Sequence, residues 1–482
     1  MEVIRYLRPW RMWRRPELKK TYDVVIVGGG AHGLAAAYEL AKRGVRNIAV
    51  LEKSYIGAGG SGRNTTIIRS NYRTPDGVRF YDQSVKLYQR LSQELDYNLL
   101  FSQQGHITLA HTERAMMTMV ERAEVNQALG VNSRVVGPDE IARLCPELDM
   151  SDRVTYPIQG GLYHPPGAVI RHDAVVWAYA RAADRLGVDI FPATEVTGID
   201  VASGRVTGVR TNRGAISAPS VLAAVAGWSS LVCSMAGVEL PIVTHNLQAY
   251  VTEPIKPMLH IILVSATLHV YVSQTDRGEI LIGSEIEPYS TYSFASTLNF
   301  LETSARHATD LLPRLRTLRV LRSWTGLCDV TPDYSPIMGE TDVKGFFVDC
   351  GWGTYGFKAV LPTGASAGRP SATRTLPRGN GFSPERRPGD WPPTSTLPAI
   401  IRRCFGLAIR AMRESSYWDL TWTPSQAEVA TTVRSASWLH CMCCSPARGP
   451  AQISHLPSKP STSPMRRARW SASSAAKRWP EP

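Results

Sequence analysis

The chain has 482 residues, of which 43% are hydrophobic and 20% are charged, a composition typical of a globular protein with two or three domains. Its formal net charge of +13 favours a nucleic-acid partner at first sight, but the charge is unevenly distributed. Residues 1–20 carry +5 and residues 361–482 carry +11, which leaves −3 for residues 21–360. This slightly acidic body argues against an extended basic surface, so we expect no nucleic-acid partner.

The sequence has no run of 18 apolar residues, and its basic first 20 residues have no continuous apolar core. We therefore expect no membrane-spanning helix, no secretory signal and a cytoplasmic location. We expect residues 1–20 to form a solvated arm or one packed on a partner subunit, with a membrane-surface or transit helix as the alternative. The four cysteines of residues 21–360 lack the spacing of a zinc site or a disulfide framework, so we expect no metal.

A nucleotide-binding pattern opens the body of the chain. Residues 22–27, YDVVIV, predict a buried parallel strand, and the Ala-rich segment 34–43 predicts a helix directly after the glycines of GGGAHG. In this pattern Gly28 permits a tight turn, Gly30 lets a pyrophosphate approach the backbone, and Gly33 lets the helix pack on the strand. The amides at the helix start then face the phosphates, so the sequence predicts dinucleotide binding.

The segment after this motif favours FAD over NAD. A second predicted strand, residues 47–51, ends at Glu52, where a carboxylate can accept the ribose hydroxyls of an adenosine. A second Gly-rich polar loop follows at residues 57–72, and a nicotinamide domain does not need it. Its side chains offer donors to phosphate and ribitol oxygens: Ser61, Arg63, Asn64 and Thr65. The alternative is a solvated surface loop.

Later segments predict the returning half of the same domain. Residues 173–186 predict a helix with Asp173 as its N-cap. Residues 187–191 predict a strand with its exit at 195–196, and residues 205–210 and 214–218 predict a hairpin. Residues 221–229 predict a buried strand that runs into a turn of small residues. In this order Val196 would flank the adenine, and Gly227 would lie near the pyrophosphate.

Residues 236–322 differ, because several runs alternate apolar and polar residues, as an antiparallel sheet does when one face lines a cavity. We therefore expect an α/β fold: a discontinuous, Rossmann-like FAD-binding domain, an inserted antiparallel-sheet substrate domain, and a disordered or aberrant C-terminal tail. The expected divisions are a basic arm at 1–20, the FAD-binding domain at 21–105, 165–235 and 324–360, the substrate domain at 106–164 and 236–323, and the tail at 361–482.

Five segments together carry a resemblance to a known family: GGGAHGLAAAYELAKRG, SGRNTTIIRSNY, RHDAVVWAYARAADRLGVDI, EPIKPMLH and CGWGTYGFK. From about residue 18 to about residue 360, the chain resembles the amine and amino-acid oxidases of the D-amino-acid-oxidase type. Within them it is most similar to the beta subunits of heterotetrameric sarcosine oxidases.

The resemblance implies oxidation of sarcosine at FAD, with electrons passing to FMN and then to dioxygen, which gives hydrogen peroxide. The one-carbon unit would pass to tetrahydrofolate, and the partners would be alpha, gamma and delta subunits. The family's covalent FMN attachment falls on His172 in RHDAV. Relatives with covalent FAD use a cysteine six residues before the Pro of a Thr-Pro-Asp motif. Counting back from Pro332 gives Gly326 here, so FAD is expected to be non-covalent.

The resemblance also implies a cation pair, Arg69 and Lys358, for the carboxylate of a small N-methyl amino acid. Strand alternation adds Tyr271 as a pocket residue, and it places His269 on the same face without assigning it a role. The residues expected to contact cofactors are Gly28, Gly30, Gly33, Glu52, Lys53, Ser61, Arg63, Asn64, Thr65, Val196, Gly227, Gly353, Gly356, Lys358 and, for FMN, His172.

The resemblance stops near residue 360, where the chain becomes rich in Arg, Pro, Ser and Trp. We interpret the tail as out-of-frame translation after a frameshift near codon 360, with a genuine disordered basic tail as the alternative. Only residues 397–412 fit a basic amphipathic helix. Two other functions therefore stay open: a single-flavin amino-acid or dimethylglycine-type dehydrogenase, and a subunit whose altered C-terminus impairs catalysis.

Overall fold

The structure, a computed structural model, describes residues 12–360. The expectations for residues 1–11 and for the tail, including the basic helix at 397–412, lie outside the described residues. No helix within 12–360 combines the length and the apolar content needed to cross a membrane.

The strands alternate with helices early in the chain and follow one another directly later. The strands are β1 (Val24–Val27), β2 (Ile48–Leu51), β3 (Ile67–Ile68), β4 (Ser102–Gln103), β5 (His106–Ala110), β6 (Arg134–Val136), β7 (Gly160–His164), β8 (Ala168–Val169), β9 (Asp189–Phe191), β10 (Val196–Ala202), β11 (Arg205–Thr211), β12 (Gly214–Ser217), β13 (Val221–Ala223), β14 (Val243–Pro254), β15 (Ile262–Ser265), β16 (Val270–Gln274), β17 (Glu279–Ser290), β18 (Val320–Val330), β19 (Ile337–Glu340) and β20 (Phe346–Cys350).

Three of the eight α-helices within residues 12–360 begin with a threonine cap. The helices are α1 (Ala31–Lys42), α2 (Gly60–Arg63), α3 (Pro75–Glu94), α4 (Glu113–Ala128), α5 (Pro138–Leu144), α6 (His172–Arg185), α7 (Ser229–Ser234) and α8 (Leu298–Leu311). Thr74, Thr112 and Thr297 cap α3, α4 and α8, each accepting a hydrogen bond from a backbone amide of the first turn. The prediction that Asp173 caps α6 is wrong, because the helix begins one residue earlier and its N-cap is Arg171.

A six-stranded sheet forms the first part of the molecule, in the order β19-β20-β13-β1-β2-β9. All neighbours are parallel except the edge strand β19, which runs antiparallel to β20. The VVIV run of β1 is buried throughout because both faces are covered. Val24 and Ile26 pack with the Ala-rich faces of α1 and α6, whereas Val25 and Val27 pack toward the β10–β11–β12 sheet.

An eight-stranded sheet forms the second part, in the order β18-β14-β17-β16-β15-β5-β7-β6. Its neighbours are antiparallel except β15 and β5. Ile107 and Leu109 of β5 and Val270 and Val272 of β16 share a core with α8. Side chains alternate across a strand, so His106 and Tyr271 lie on the opposite face of this sheet. The predicted α/β architecture with a separate, mainly antiparallel sheet is therefore confirmed.

Two local differences from the sequence expectations have physical reasons. Residues 298–311 were placed within the antiparallel region but form α8, whose buried residues Phe300, Ser304, Ala308 and Leu311 recur at helical spacing. Residues 324–330 were assigned to the FAD-binding domain, but they complete β18. This strand pairs with β14 from Val320 to Val330, so the ladder crosses the expected boundary.

Candidate active site

The nucleotide loop lies between the end of β1 and the start of α1. Gly28 has φ +109, and a Cβ on this residue would lie 2.3 Å from the carbonyl oxygen of Ala224. A Cβ on Gly33 would lie 2.0 Å from the carbonyl oxygen of Gly28. Gly30 is the N-cap of α1 and supplies no side-chain cap, unlike the threonines of α3, α4 and α8. A close-packed loop that leads into such a helix start fits the pyrophosphate of a dinucleotide.

Glu52 lies at the end of β2, with its side chain buried against the same loop. Its carboxylate accepts hydrogen bonds from the amides of Gly29 and Ser54, both at 2.9 Å. The carboxylate therefore orders the loop at the strand end where adenosine ribose hydroxyls are expected. Lys53 is exposed instead, and its ammonium lies 3.3 Å from the centre of the Trp228 ring. Lys53 thus contacts the turn after β13.

The second glycine-rich loop folds back against the first. Ser61 Oγ accepts a hydrogen bond from the amide of Ala31, the first residue of α1, at 2.9 Å. Asn64 Oδ1 accepts one from the amide two residues further on, at 2.7 Å, which orders the exit of the loop. Arg63 packs its guanidinium 4.4 Å from the centre of the Phe294 ring. The structure therefore brings Ser61 to the phosphate loop, whereas Arg63 contacts an aromatic ring beyond the loop.

Val196 and Gly227, the residues predicted to lie near the adenine and the pyrophosphate, are both buried. Val196 is buried at the start of β10. Gly227 lies in a short 3₁₀ turn after β13, and a Cβ on it would lie 2.6 Å from Cβ of Leu327. The same turn approaches the second loop, because a Cβ on Gly60 would lie 3.8 Å from Cβ of Ala226. Gly227 therefore marks a close contact between this turn and β18.

Arg69 and Lys358 come together although 289 residues separate them in the chain. The Arg69 guanidinium lies 4.5 Å from the centre of the Tyr72 ring, and the Lys358 ammonium lies 5.0 Å from that of Tyr355. These two rings are 5.9 Å apart and meet edge to face. Burial, together with the nearby positive charge of Arg69, holds the pKa of Lys358 well below its usual range. The pair therefore forms a half-buried cationic site.

Buried polar groups hold the backbone beside Arg69. The Arg69 guanidinium donates to Asn71 Oδ1 at 2.9 Å. Arg122 of α4 donates to the carbonyl oxygen of Asn71 at 2.6 Å, and Asn126 donates to that of Tyr72 at 2.7 Å. Because α4 contacts successive peptide groups, segment 69–72 is ordered before any ligand arrives. A neighbouring strand supplies a further hydrogen bond to Ser70.

Tyr271 lies against the second loop rather than beside the cation pair. Burial raises the pKa of Tyr271 to about 12, although the nearby Thr65 side chain opposes the shift. Its hydroxyl lies over Gly283 of β17, and a Cβ added to Gly283 would be 2.0 Å from the Tyr271 hydroxyl oxygen. Tyr271 and Thr65 are thus neighbours. His269 precedes β16 with φ +51, so the expected strand position of His269 is wrong.

The closing segment after β20 is tied to the nucleotide helix by His32. The His32 ring lies 2.9 Å from Asp349 Oδ2 through Nδ1 and 2.8 Å from the carbonyl oxygen of Gly356 through Nε2. The other Asp349 oxygen accepts a hydrogen bond from the Trp352 indole at 2.6 Å. Gly353 turns this segment with φ +53. The turn that carries Lys358 is therefore anchored to α1.

His172 is the first residue of α6. Burial lowers its pKa, Asp173 opposes that shift, and the positive charges of Arg171, Arg322 and Arg277 lower it further. The imidazole is therefore neutral at physiological pH, with cationic side chains around it.

A family model described as FAD dependent oxidoreductase matches residues 23–367. The chain belongs to this family. Sarcosine oxidase subunit beta from Arthrobacter sp is 44% identical over 357 residues, which cover 74% of this chain and 88% of that protein. The subunit beta from Rhodobacter capsulatus is 43% identical over 365 residues, 75% and 88% of the two chains. The structure of L-proline dehydrogenase from P.horikoshii aligns with a TM-score of 0.68 and 29% identity, covering 72% and 92%.

These matches confirm the resemblance and the fold class predicted from the sequence. The protein is an FAD-dependent oxidoreductase of the sarcosine oxidase and amino-acid oxidase type. Its close-packed glycine loop and the start of α1, where the N-cap Gly30 has no side chain, fit the pyrophosphate of FAD. The assignment of individual cofactor contacts stays a prediction.

The sequence reasoning missed three buried histidines near the oxidoreductase site. His32 lies inside the glycine motif itself, but its partner is 317 residues away. His106 and His164 occupy strands whose pairing could not be inferred from periodicity. A histidine in an otherwise apolar, alternating run is the only signal in the sequence, and it does not name a partner.

Proposed function

We propose that this oxidoreductase is the beta subunit of a multi-subunit oxidase that converts sarcosine to glycine and a one-carbon unit. The observation that carries the proposal is the half-buried pair of cations, Arg69 and Lys358, which the fold brings together from distant parts of the chain. The names of the similar proteins, sarcosine oxidase subunit beta, support the choice of substrate and a multi-subunit assembly.

Each cation has a separate task in this proposal. Arg69 presents a planar fork that is already oriented by Asn71 and Tyr72, which suits a carboxylate. Lys358 adds a single point charge from the closing segment. Two cations near the substrate also disfavour a protonated amine, so the amine is held neutral for oxidation. The bound FAD supplies the acceptor for the hydride from the carbon next to that amine.

We also propose that FMN is attached through His172. A neutral imidazole is the nucleophilic form, and the surrounding arginines suit the FMN phosphate. The other partners in this proposal are alpha, gamma and delta subunits, with tetrahydrofolate as one-carbon acceptor and dioxygen as oxidant, giving hydrogen peroxide. The complex would work in the cytoplasm without a membrane.

FAD is proposed to be non-covalent. The position that carries the attaching cysteine in covalent relatives is Gly326 here. Cys328 lies two residues further on and is buried, and burial raises the pKa of its thiol to about 12. A thiol with that pKa has almost no thiolate at neutral pH.

Sarcosine should bleach the flavin absorbance of the purified protein anaerobically, and Arg69→Leu should need far more sarcosine for the same rate. Lys86→Gln is the matched control, because Lys86 pairs with Asp82 on the exposed side of α3. Unchanged sarcosine dependence in Arg69→Leu would refute the carboxylate site.

Denaturing-gel fluorescence tests the FMN attachment. A flavin that stays with the wild-type chain and is lost in His172→Ala supports the linkage. His111→Ala is the control, since His111 directly follows β5 and its ring nitrogens bond to the Tyr156 carbonyl oxygen and to Ser265 Oγ. Flavin that stays with the His172→Ala chain would exclude this attachment.

A single-flavin dehydrogenase is the second candidate, and the structural match to L-proline dehydrogenase favours it. It would pass electrons to an acceptor other than dioxygen, and it would carry no flavin on the denatured chain. Peroxide production with sarcosine separates the two candidates. Absence of any bleaching would instead indicate an impaired subunit.

A further inference from the structure

Two buried histidines face each other across neighbouring strands of the eight-stranded sheet. His106 opens β5 and His164 ends β7, and the antiparallel register pairs them directly. Their exposed fractions are 1% and 0%. Directly opposed residues share a face, and Ile107 points into the core on the other side. Both rings therefore lie on the face that looks toward segment 69–72.

The hydrogen bonds of His164 are complete. Its Nδ1 lies 2.9 Å from the carbonyl oxygen of Asn132 and 2.9 Å from Ser133 Oγ. Its Nε2 accepts a hydrogen bond from the amide of Ser70 at 3.2 Å. Ser70 directly follows Arg69, so His164 helps to fix the backbone that carries the arginine. Its environment explains this ring fully, and no ligand is needed.

His106 differs from His164 in its hydrogen bonding. Neither of its ring nitrogens has a hydrogen-bond partner within residues 12–360. A buried imidazole with two unsatisfied polar atoms is costly, and native proteins seldom retain one without a reason. The neighbouring His164 has partners for both of its ring nitrogens, so the two histidines differ although they lie side by side. A ligand that reaches the His106 ring would supply the partners that it lacks.

The charges around His106 indicate which class of ligand its ring would bind. Burial, followed by the positive charge of Arg69 and smaller effects of His164, Arg122 and Lys358, holds the pKa of His106 well below its usual range. The ring is therefore neutral, with one N–H donor and one acceptor nitrogen. No acidic side chain contributes to this shift. A donor that lies among cations and has no anion beside it suits a ligand carboxylate.

We propose that His106 is a third residue that binds the substrate carboxylate, donating its N–H to an oxygen that Arg69 and Lys358 also hold. A carboxylate offers about four acceptor positions, and an arginine fork with one ammonium leaves room for another donor. A neutral donor adds a hydrogen bond without adding a third charge to a buried site. The inference rests on the proposed function, which assigns the carboxylate to this cation pair.

Acetate is the probe for this contact, because it has a carboxylate and no amine. Calorimetric titration of acetate into the full-length, FAD-loaded chain should show about tenfold weaker binding, or more, for His106→Leu. His106→Gln, which keeps a donor, should recover part of the affinity. The sarcosine KM of His106→Leu should rise more than its kcat falls. Thr108→Val is the matched control, because Thr108 lies on the same face of β5, and its acetate affinity should not change.

Thermal unfolding separates ligand binding from a structural role. His106→Leu should keep or raise the melting temperature, because it removes unsatisfied polar atoms, whereas His164→Leu should lower it by breaking the Ser70 contact. Acetate binding by His106→Leu equal to wild type overturns the proposal, as does a rise in sarcosine KM with acetate affinity unchanged. A wild-type protein that is reduced by sarcosine but does not bind acetate overturns the role of His106 alone. A wild-type protein that binds neither refutes the proposed function as well.

Discussion

Lys358 lies half-buried beside a second cation, and its charge therefore depends on what occupies the site. Its pKa is lowered by burial and by Arg69, and no acidic side chain among residues 12–360 is paired with its ammonium. A bound carboxylate reverses this balance because it supplies the missing negative charge. Ligand binding and protonation of Lys358 are thus linked.

Acetate binding should accordingly be accompanied by proton uptake at pH values above the lowered pKa of Lys358. Calorimetry in buffers of different ionisation enthalpy measures the number of protons directly. In Lys358→Met the uptake should disappear, and the acetate affinity should fall by about tenfold or more. Equal uptake by the wild type and by Lys358→Met would show that another group takes the proton.

His32 should make stability depend on pH. Burial lowers its pKa, but the charge and the hydrogen bond of Asp349 outweigh burial, and the net pKa is raised. The pKa of Asp349 is lowered despite its burial, mainly by His32. The stabilisation by His32 is complete below its unfolded pKa, about 6.5, and is lost as pH rises through its raised pKa. That by Asp349 is lost as pH falls below about 3.8.

The melting temperature of His32→Gln should therefore lie furthest below wild type between about pH 4.5 and 6.5, and the gap should narrow at higher pH. Differential scanning calorimetry across this pH range gives the comparison. His307→Gln is a suitable control, since His307 bonds to a carbonyl oxygen and its pKa is lowered rather than raised. A gap that stays constant with pH would mean that His32 is neutral in the folded protein.

The loop before α1 depends on the backbone conformation of a single residue, Gly28. Gly28 combines a positive φ with a neighbouring carbonyl oxygen that leaves no space for a side chain. Gly59 lies in the second loop with φ −79, and a Cβ there would meet nothing within 4 Å. Two glycines of one nucleotide site thus differ sharply in their tolerance of substitution.

Gly28→Ala should destabilise the protein by about 2 kcal/mol or more and should abolish FAD retention. Gly59→Ala should stay within about 0.5 kcal/mol of the wild type, with FAD still bound. Denaturant unfolding and flavin absorbance after gel filtration measure the two effects. Comparable losses in both variants would contradict the packing described for the loop.

The helices and strands that could be predicted are those whose sequence pattern depends on residues close together in the chain. The Ala-rich face of α1 and the apolar run of β1 depend on neighbours within a few residues, and the sequence predicted both. The end of α6 and the hairpin β11–β12 were also close to expectation. The hydrogen bond of His164 to Ser70 spans 94 residues, and that of His32 to Asp349 spans 317. Contacts of that kind depend on the tertiary fold, so residue spacing alone could not reveal them.

Across the whole molecule, the two large sheets meet at the second loop. Trp324 of β18 donates its indole N–H to the carbonyl oxygen of Arg63 at 2.8 Å, so the eight-stranded sheet directly orders a segment expected to contact FAD. Gly326, on the same side of the strand, also faces the second loop, because a Cβ there would make an ordinary van der Waals contact with Cβ of Arg63 at 3.5 Å. Substrate-domain packing and cofactor binding are therefore coupled through one strand.

Trp324→Phe, which keeps an aromatic ring but removes the donor, should weaken FAD binding by about fivefold, the effect of one lost hydrogen bond of about 1 kcal/mol. Fluorescence titration of the apoprotein with FAD measures the affinity. Trp13→Phe is the control, because Trp13 packs against the core near α1 and is remote in sequence from β18. An unchanged affinity in Trp324→Phe would show that the indole contact does not order the loop.

The small sheet β3-β8-β4 connects the two sites between which electrons would pass in the proposed function. In it, β3 and β8 pair over only two positions, Ile67 with Val169 and Ile68 with Ala168. Arg69 continues the chain beyond one end of this pairing, and His172 follows beyond the other. The proposed sites of substrate oxidation and FMN attachment thus lie beyond opposite ends of this short strand pairing. The register of β3 and β8 would then help to fix the distance between the two sites, and a one-residue slip between these strands would change the separation of Arg69 and His172.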